Sequence, residues 1–354
     1  QMKAFRRFER SERAARLAEV PIPVPGQGEV LLKVSYCGIC GSDLHAWLNH
    51  KGYESVLPEV TFGHELAGIV TEVGQGISAW SCGDKAVMIA LQTKYDAEDP
   101  YCRKDLPQLS ERRRVQGLHL DGGMAEFVCV DEEFLIPVPE DISLPLASLT
   151  EPLSVAEHCI GNRSDITRGT KVVVSGPGII GMLCALAAKH RGAEVLLVGT
   201  ERDEAVRLRA ARKLGFQTVT VGAGLPPLSE NVLEHFPLGA DALVEASGAA
   251  SALADSWKSV RPNGVVTAVA LYSRPIELDL TQFLRKQIDL RTSYASSRPD
   301  YLNAFEMLRN GAVDFDSLIR IYPLKDAEQG FVDSEQLKVM KAVLDCSGEG
   351  PELT

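Results

Sequence analysis

Val172-Val-Val-Ser-Gly176-Pro-Gly178-Ile-Ile-Gly181 decides how this chain of 354 residues is read. A run of apolar, mostly β-branched residues passes through a glycine-rich turn straight into an amphipathic stretch, Met182 to Arg191, a pattern of strand, turn and helix. In that setting the glycines have separate jobs. Gly176 makes the tight turn, Gly178 lets backbone approach a pyrophosphate, and Gly181 lets helix pack closely on strand. Ile179 and Ile180 open the helix, whose unpaired N–H groups and positive potential attract phosphate. The stretch predicts a bound dinucleotide. The next apolar run, Glu194-Val-Leu-Leu-Val198, would ordinarily lead to an acidic residue for the ribose hydroxyls of NAD, but is followed by Gly199-Thr200-Glu201-Arg202. A small residue, a hydroxyl and an arginine can house a 2′-phosphate, whereas Glu201 can take the ribose if the loop is one residue longer. The pattern leans slightly to NADP and leaves NAD open.

Working outward, Lys171–Ser175, Glu194–Val198, Ala242–Glu245 and Gly264–Ala270 are apolar runs between helical stretches, which predicts an α/β fold with a parallel, doubly wound sheet. Before Leu144 the texture differs. Val30–Val34, Leu66–Val73 and Ala125–Val130 read as short strands between Gly, Pro and Asp turns, so this half is mostly β. Further on come a predicted helix over Asp300–Arg309 and a closing segment over Asp333–Asp345. The length exceeds the roughly 250 to 300 residues at which one core stops growing, so two domains are expected.

With 45% apolar and 24% charged residues the chain is neither disordered in type nor rich in membrane-spanning runs. A net charge of -11 repels polyanions. No nucleic-acid and no membrane partner is expected. No charged segment followed by an apolar one opens the chain, Gln1 before Met2 reads as a processing remnant, and eight cysteines are too sparse for a disulfide scaffold, so a cytoplasmic location is expected.

Three further motifs carry chemistry: Cys37-Gly-Ile-Cys40-Gly-Ser42-Asp43-Leu-His45, Gly63-His64-Glu65, and Glu151-Pro-Leu-Ser-Val-Ala-Glu-His158. A lone Cys-x-x-Cys suggests a redox pair or half a zinc knuckle. No second such pair exists, so one cysteine must find other partners, and Cys, His and carboxylate are all competent zinc ligands in a site that keeps a position open.

The order of these motifs resembles the zinc-containing medium-chain dehydrogenase/reductase family, especially its sorbitol and polyol dehydrogenase branch. The resemblance runs from Met2-Lys-Ala-Phe5 to the Lys338–Asp345 segment. It implies a GroES-like β-rich catalytic domain over residues 1–150, completed by 295–354, with a Rossmann dinucleotide-binding domain over 151–294. It also implies Cys40 and His64 as zinc ligands, Glu65 as an outer or alternate ligand, and Glu151 as the carboxylate that the polyol branch uses where other alcohol dehydrogenases have cysteine. On the same likeness the metal lowers the pKa of a substrate hydroxyl whose hydride leaves to NAD(P). Ser42 hands the proton onward, His45 releases it to water, and Ser42, His45 and Glu65 form the expected catalytic group. Asp43 orients a ligand, Cys37 is a buried thiol and His158 a packing residue.

The family's structural zinc needs four close cysteines, which should fall between Val87 and Gly122. Only Cys102 lies there, so one catalytic zinc per chain and no structural zinc is expected, and the loop over 92–116 has no assigned role. The implied substrate is a small polar alcohol, a polyol, sugar or cyclitol oxidised at a secondary hydroxyl. An amino alcohol such as threonine is the alternative; a zinc-free reductase of the same superfamily and a non-catalytic dinucleotide-binding protein are the rivals. Trp47, Tyr53, His119 and Tyr294 are candidate pocket residues. Family likeness suggests a homodimer or homotetramer, with the strand near Val265–Leu271 as the candidate pairing edge.

Overall fold

The computed structural model describes residues 1–56, 58–309 and 314–348, so residues 349–354 of the expected C-terminal segment lie outside it. The chain divides into two compact units, Gln1–Glu151 with the segment from Ser297 onward, and Pro152–Ser296.

The second unit is built on six strands, all parallel, in the spatial order Gln217–Val221, Glu194–Thr200, Lys171–Ser175, Ala240–Glu245, Val260–Ala268, Asp289–Thr292. The first strand in sequence is central and the winding reverses beside it, which is the doubly wound order that places a ligand outside the C-terminal ends of the strands. Val172, Val173 and Val174 are all fully buried, so both faces of that strand are covered. This is why the strand reads as an unbroken apolar run. The α/β class is the one the sequence predicts. Two strands escaped the reading, Gln217–Val221 and Asp289–Thr292, because each is short and half polar or exposed at the margin of the sheet. The second omission requires a correction. The strand containing Val265 is not an edge, since Asp289–Thr292 pairs along its outer side and is itself the margin.

The first unit is β-rich. Met2–Arg7 lies between Ala15–Val20 and Val60–Thr61 in a three-stranded sheet. A seven-stranded sheet centres on Glu29–Gly38, which pairs with Glu65–Val73 on one side. On its other side it pairs with Phe127–Asp131 through Glu29–Lys33 and with Lys341–Asp345 through Tyr36–Gly38. The C-terminal strand therefore completes an amino-terminal sheet. The predicted helix is present as Arg298–Arg309, but the closing segment is not continuous: a helix Ala327–Glu335 ends in a turn with Leu337 at φ 58° before the strand begins. Among the described residues no helix is long and apolar enough to cross a membrane.

Candidate functional site

Cys40 ends the central strand's run and caps the helix Gly41–Trp47 in an extended conformation, and Asp43 Oδ2 accepts the N–H of Cys40 at 3.0 Å, closing a capping box. The thiol is thereby held where sheet gives way to helix. His64 arrives from Gly63, whose φ of +102° suits glycine and where a Cβ would come within 2.6 Å of Cys37 Sγ. The backbone of Gly117 and Gly122 packs against that of Phe62 and Gly63. Gly122, Gly123 and Met124 donate to the carbonyls of Thr61, Gly63 and Phe62 at 2.8–2.9 Å. Those glycines permit the close approach that fixes His64. His119, read as a pocket candidate, accepts from Val115 N–H at 3.0 Å and steadies its own loop.

The donor atoms of Cys40, His64 and Glu65 lie within 4.8 Å of one another. His64 turns Nδ1 toward Asp43 Oδ1 at 3.5 Å and Nε2 toward Ser42 Oγ at 3.3 Å. Asp43, fully buried, thus both caps the helix and orients the imidazole. Burial opposes charge on His64, but the negative charge of Asp43 and Cys40 outweighs it and raises the imidazole pKa well above its usual value. Burial raises Glu151 to about 7, with His64 pulling it down and Glu65 pushing it up. Four acidic groups, Cys40, Asp43, Glu65 and Glu151, thus converge with His64 and a single lysine. A dication relieves that surplus, and one thiol, one imidazole and one carboxylate are a donor set of the kind zinc takes in catalytic sites. The residues fit the metal. Glu151 acts on the cluster electrostatically but stands outside the three-donor group.

The lysine is Lys341, which sequence reasoning missed. It is buried, paired with Glu65, and donates to the carbonyl of Ile39 at 2.9 Å. Gly38 leaves the room, because a Cβ there would collide with the Glu65 carboxylate. A lysine heading an otherwise apolar strand, Lys341-Ala-Val-Leu-Asp345, was the available signal. Glu65 is thus an ion-pair partner as well as a candidate ligand. His45 is half-buried on the helix, Cys37 is a fully buried thiol, and His158 is buried with Nδ1 3.2 Å from Asn162 Nδ2. Trp47 is core, with its ring 5.3 Å from Phe331 and Arg13 stacked over it. Tyr53 stacks on His45, and Tyr294 is exposed.

In the other unit the glycine turn has the predicted geometry. Gly176 adopts φ +100°, and a Cβ there would approach Ser247 backbone to 2.6 Å; one on Gly181 would collide with the carbonyl of Gly176. Gly178 caps the helix Ile179–His190, leaving the first-turn N–H groups of Ile179 and Ile180 without helical partners. At the end of the neighbouring strand the Thr200 hydroxyl donates to Asp203 at 2.9 Å, while Glu201 and Arg202 are exposed. Arg207 pairs with Asp203 at 3.2 Å and lies 3.9 Å from where a Gly178 Cβ would be. The i,i+4 spacing of Asp203 and Arg207 was the missed signal.

The loop over 92–116 is organised by a carboxylate. Asp99 accepts from Ser110 Oγ at 2.5 Å and from Tyr101 N–H at 2.8 Å, and its second backbone donor is the N–H of Cys102.

Two family descriptions match the chain: "Alcohol dehydrogenase GroES-like domain" over residues 26–140 and "Zinc-binding dehydrogenase" over 180–310. A sorbitol dehydrogenase from Halalkalibacterium halodurans is 30% identical over 336 residues, covering 92% of this chain and 95% of its own. An L-threonine 3-dehydrogenase from Symbiobacterium thermophilum is 33% identical over 281 residues, covering 79% and 78%. Among solved structures, a Sinorhizobium meliloti 1021 protein described as a zinc-binding dehydrogenase and bound to NADP superposes with a TM-score of 0.88 at 26% identity, covering 97% of this chain and 99% of its own.

Proposed function

The chain belongs to the zinc-containing medium-chain dehydrogenase/reductase family, near its polyol dehydrogenase branch, and from that membership we propose that it oxidises a secondary hydroxyl of a polyol, sugar or cyclitol with NAD(P). The observation that carries this reading is the convergence of Cys40, His64 and Glu65 within 4.8 Å. When bound, zinc supplies a Lewis acid that lowers the pKa of the substrate hydroxyl, and the nicotinamide supplies the hydride acceptor.

The chain's own residues do the rest. Cys40 and His64 hold the metal, with Glu65 or Glu151 as the carboxylate donor. Asp43 keeps the His64 ring turned so that one nitrogen is free for the metal. Ser42 takes the substrate proton at Oγ and His45 passes it toward water, a task its imidazole suits. Gly176, Gly178 and Gly181 let the dinucleotide pyrophosphate approach backbone, with the N–H groups of Ile179 and Ile180 as donors. Thr200, Glu201 and Arg202 face the adenosine ribose. NADP is slightly preferred: Arg202 is an exposed cation at the strand end, Arg207 lies against the glycine turn, and a structurally similar protein binds NADP.

One zinc per chain is proposed, since the lobe that would hold a second contains one thiol and is organised by Asp99. All eight cysteines are free, which supports a reducing, cytoplasmic setting. A homodimer or homotetramer is proposed from family likeness. An amino alcohol is the second substrate class, favoured by the likeness to the threonine dehydrogenase.

The test is elemental analysis of the wild type and of Cys40→Ser, alongside reduction of NAD and NADP with a panel of polyols, sugars and amino alcohols. One zinc per chain, lost together with activity in the variant, supports the reading. Two zincs, or full activity without metal, overturns it.

A further inference from the structure

The helix Gly41–Trp47 closes at Leu48, and Asn49 follows with a left-handed φ of 54°. Asn49 N–H donates to the Ala46 carbonyl at 3.1 Å and His50 N–H to the His45 carbonyl at 3.0 Å. These are the paired bonds of a Schellman motif, which brings the side chain two places beyond the cap over the last turn of the helix. In most such motifs that contact is apolar. Here both side chains are imidazoles, with their Nδ1 atoms 2.8 Å apart and ring centroids 5.1 Å apart. A bond between two ring nitrogens requires one proton between them, donated by one ring and accepted by the other.

The pair is held from several sides. Arg7, itself buried, donates from Nη2 to Asn49 Oδ1 at 2.8 Å and from Nε to the Glu9 carbonyl at 3.0 Å, fixing the turn residue. Tyr53 stacks on the His45 ring at 5.5 Å. His45 is half-buried and His50 exposed, so the bond runs outward. Burial, with a smaller contribution from His50, lowers the His45 pKa, which favours its giving the proton away.

We propose that His50 is the terminal group of the proton path, receiving at Nδ1 the proton that His45 releases and surrendering it to water. The proposal rests on the alcohol-oxidation reading. The step balances without electrons: imidazolium His45 gives its Nδ1 proton to neutral His50, and the His50 imidazolium so formed loses one proton to water or buffer.

Two variants separate transport from structure. His50→Ala removes the ring, and His50→Gln keeps a hydrogen-bonding group that cannot ferry a proton. In weak buffer with an indicator dye, wild type should release protons in step with nicotinamide reduction by a secondary alcohol. In both variants release should be slowed relative to reduction by about 100-fold, the low end of what a positioned proton-transfer group supplies, and added imidazole should restore it. Release in step with reduction in both variants overturns the proposal, as does a lag in His50→Ala that His50→Gln abolishes. Failure of the wild type to reduce either nicotinamide with any alcohol would instead sink the reading of function. In the resting protein, NMR coupling between the two Nδ1 atoms is expected, and its absence overturns the proposal whatever the activity.

Discussion

The glycine turn and the candidate metal centre are both sites for a guest, yet they are made of different material. At Gly176–Gly181 the work is done by backbone within a few residues: a positive φ, the close approach of Gly181 to the Gly176 carbonyl, and the N–H groups of one helix end. At Cys40, His64 and Glu65 it is done by side chains from separate segments, and the charge is balanced by Lys341, whose Nζ reaches the carbonyl of Ile39 across 302 positions of sequence. A site made of local backbone leaves its whole argument in one stretch of letters. A site assembled from side chains leaves fragments.

That contrast predicts that single side-chain replacements hurt the centre more than they hurt the turn. The largest effect is expected for Cys40→Ser. Even an outer partner of a metal ligand is worth about 10- to 100-fold, so loss of the ligand itself should remove zinc and cut turnover by more than about 100-fold, read by elemental analysis and steady-state assay.

Lys341→Met comes next. Leaving the buried Glu65 carboxylate without its partner should cost about 3–5 kcal/mol, measured by denaturant unfolding of the metal-free protein. Unchanged stability there would mean that Glu65 does not need the lysine, which would remove the contrast's main support. In the turn, Gly181→Ala forces a Cβ against the Gly176 carbonyl, and overpacking of this kind costs about 1–3 kcal/mol. A lower thermal midpoint with weakened NAD(P)H binding by fluorescence titration is expected. The smallest effect belongs to Asp99→Ala, which removes a carboxylate that organises the loop over 92–116 and should lower the thermal midpoint only slightly, with zinc content unchanged. A change in zinc content would show that the loop bears on the metal after all.

The same contrast explains what was legible beforehand. The strand–turn–helix pattern and the β-rich first half could be read because each rests on a short pattern of periodicity or turn chemistry, and Cys40 and His64 were singled out as candidate ligands by the resemblance that the order of their motifs carries. Lys341 could not be read, because nothing at position 341 records that a fold will bury it beside position 65. The edge of the parallel sheet was misread for a related reason: Asp289-Leu-Arg-Thr292 has no apolar run, and its pairing with Val265–Ala268 is a tertiary fact. Arg207 was legible in principle from its spacing to Asp203, but its place against Gly178 depends on the turn already being folded.

The strand Lys341–Asp345 also sets a timetable. Tyr36–Gly38, just before Cys40, pairs early with Glu65–Ala67 on one side but finds its partner on the other side only when that strand has been made. With 302 positions between Ile39 and Lys341 and synthesis at about 5–20 residues per second, the gap in the sheet stays open for roughly 15 to 60 seconds on the ribosome. During that interval the nascent amino-terminal half carries a bare stretch of strand edge, able to pair with the wrong neighbour. Among the described residues this is the last strand to emerge, the clasp that both closes the sheet and neutralises Glu65, so a chain arrested before residue 341 would present Cys40, His64 and Glu65 to any passing metal without their balancing lysine.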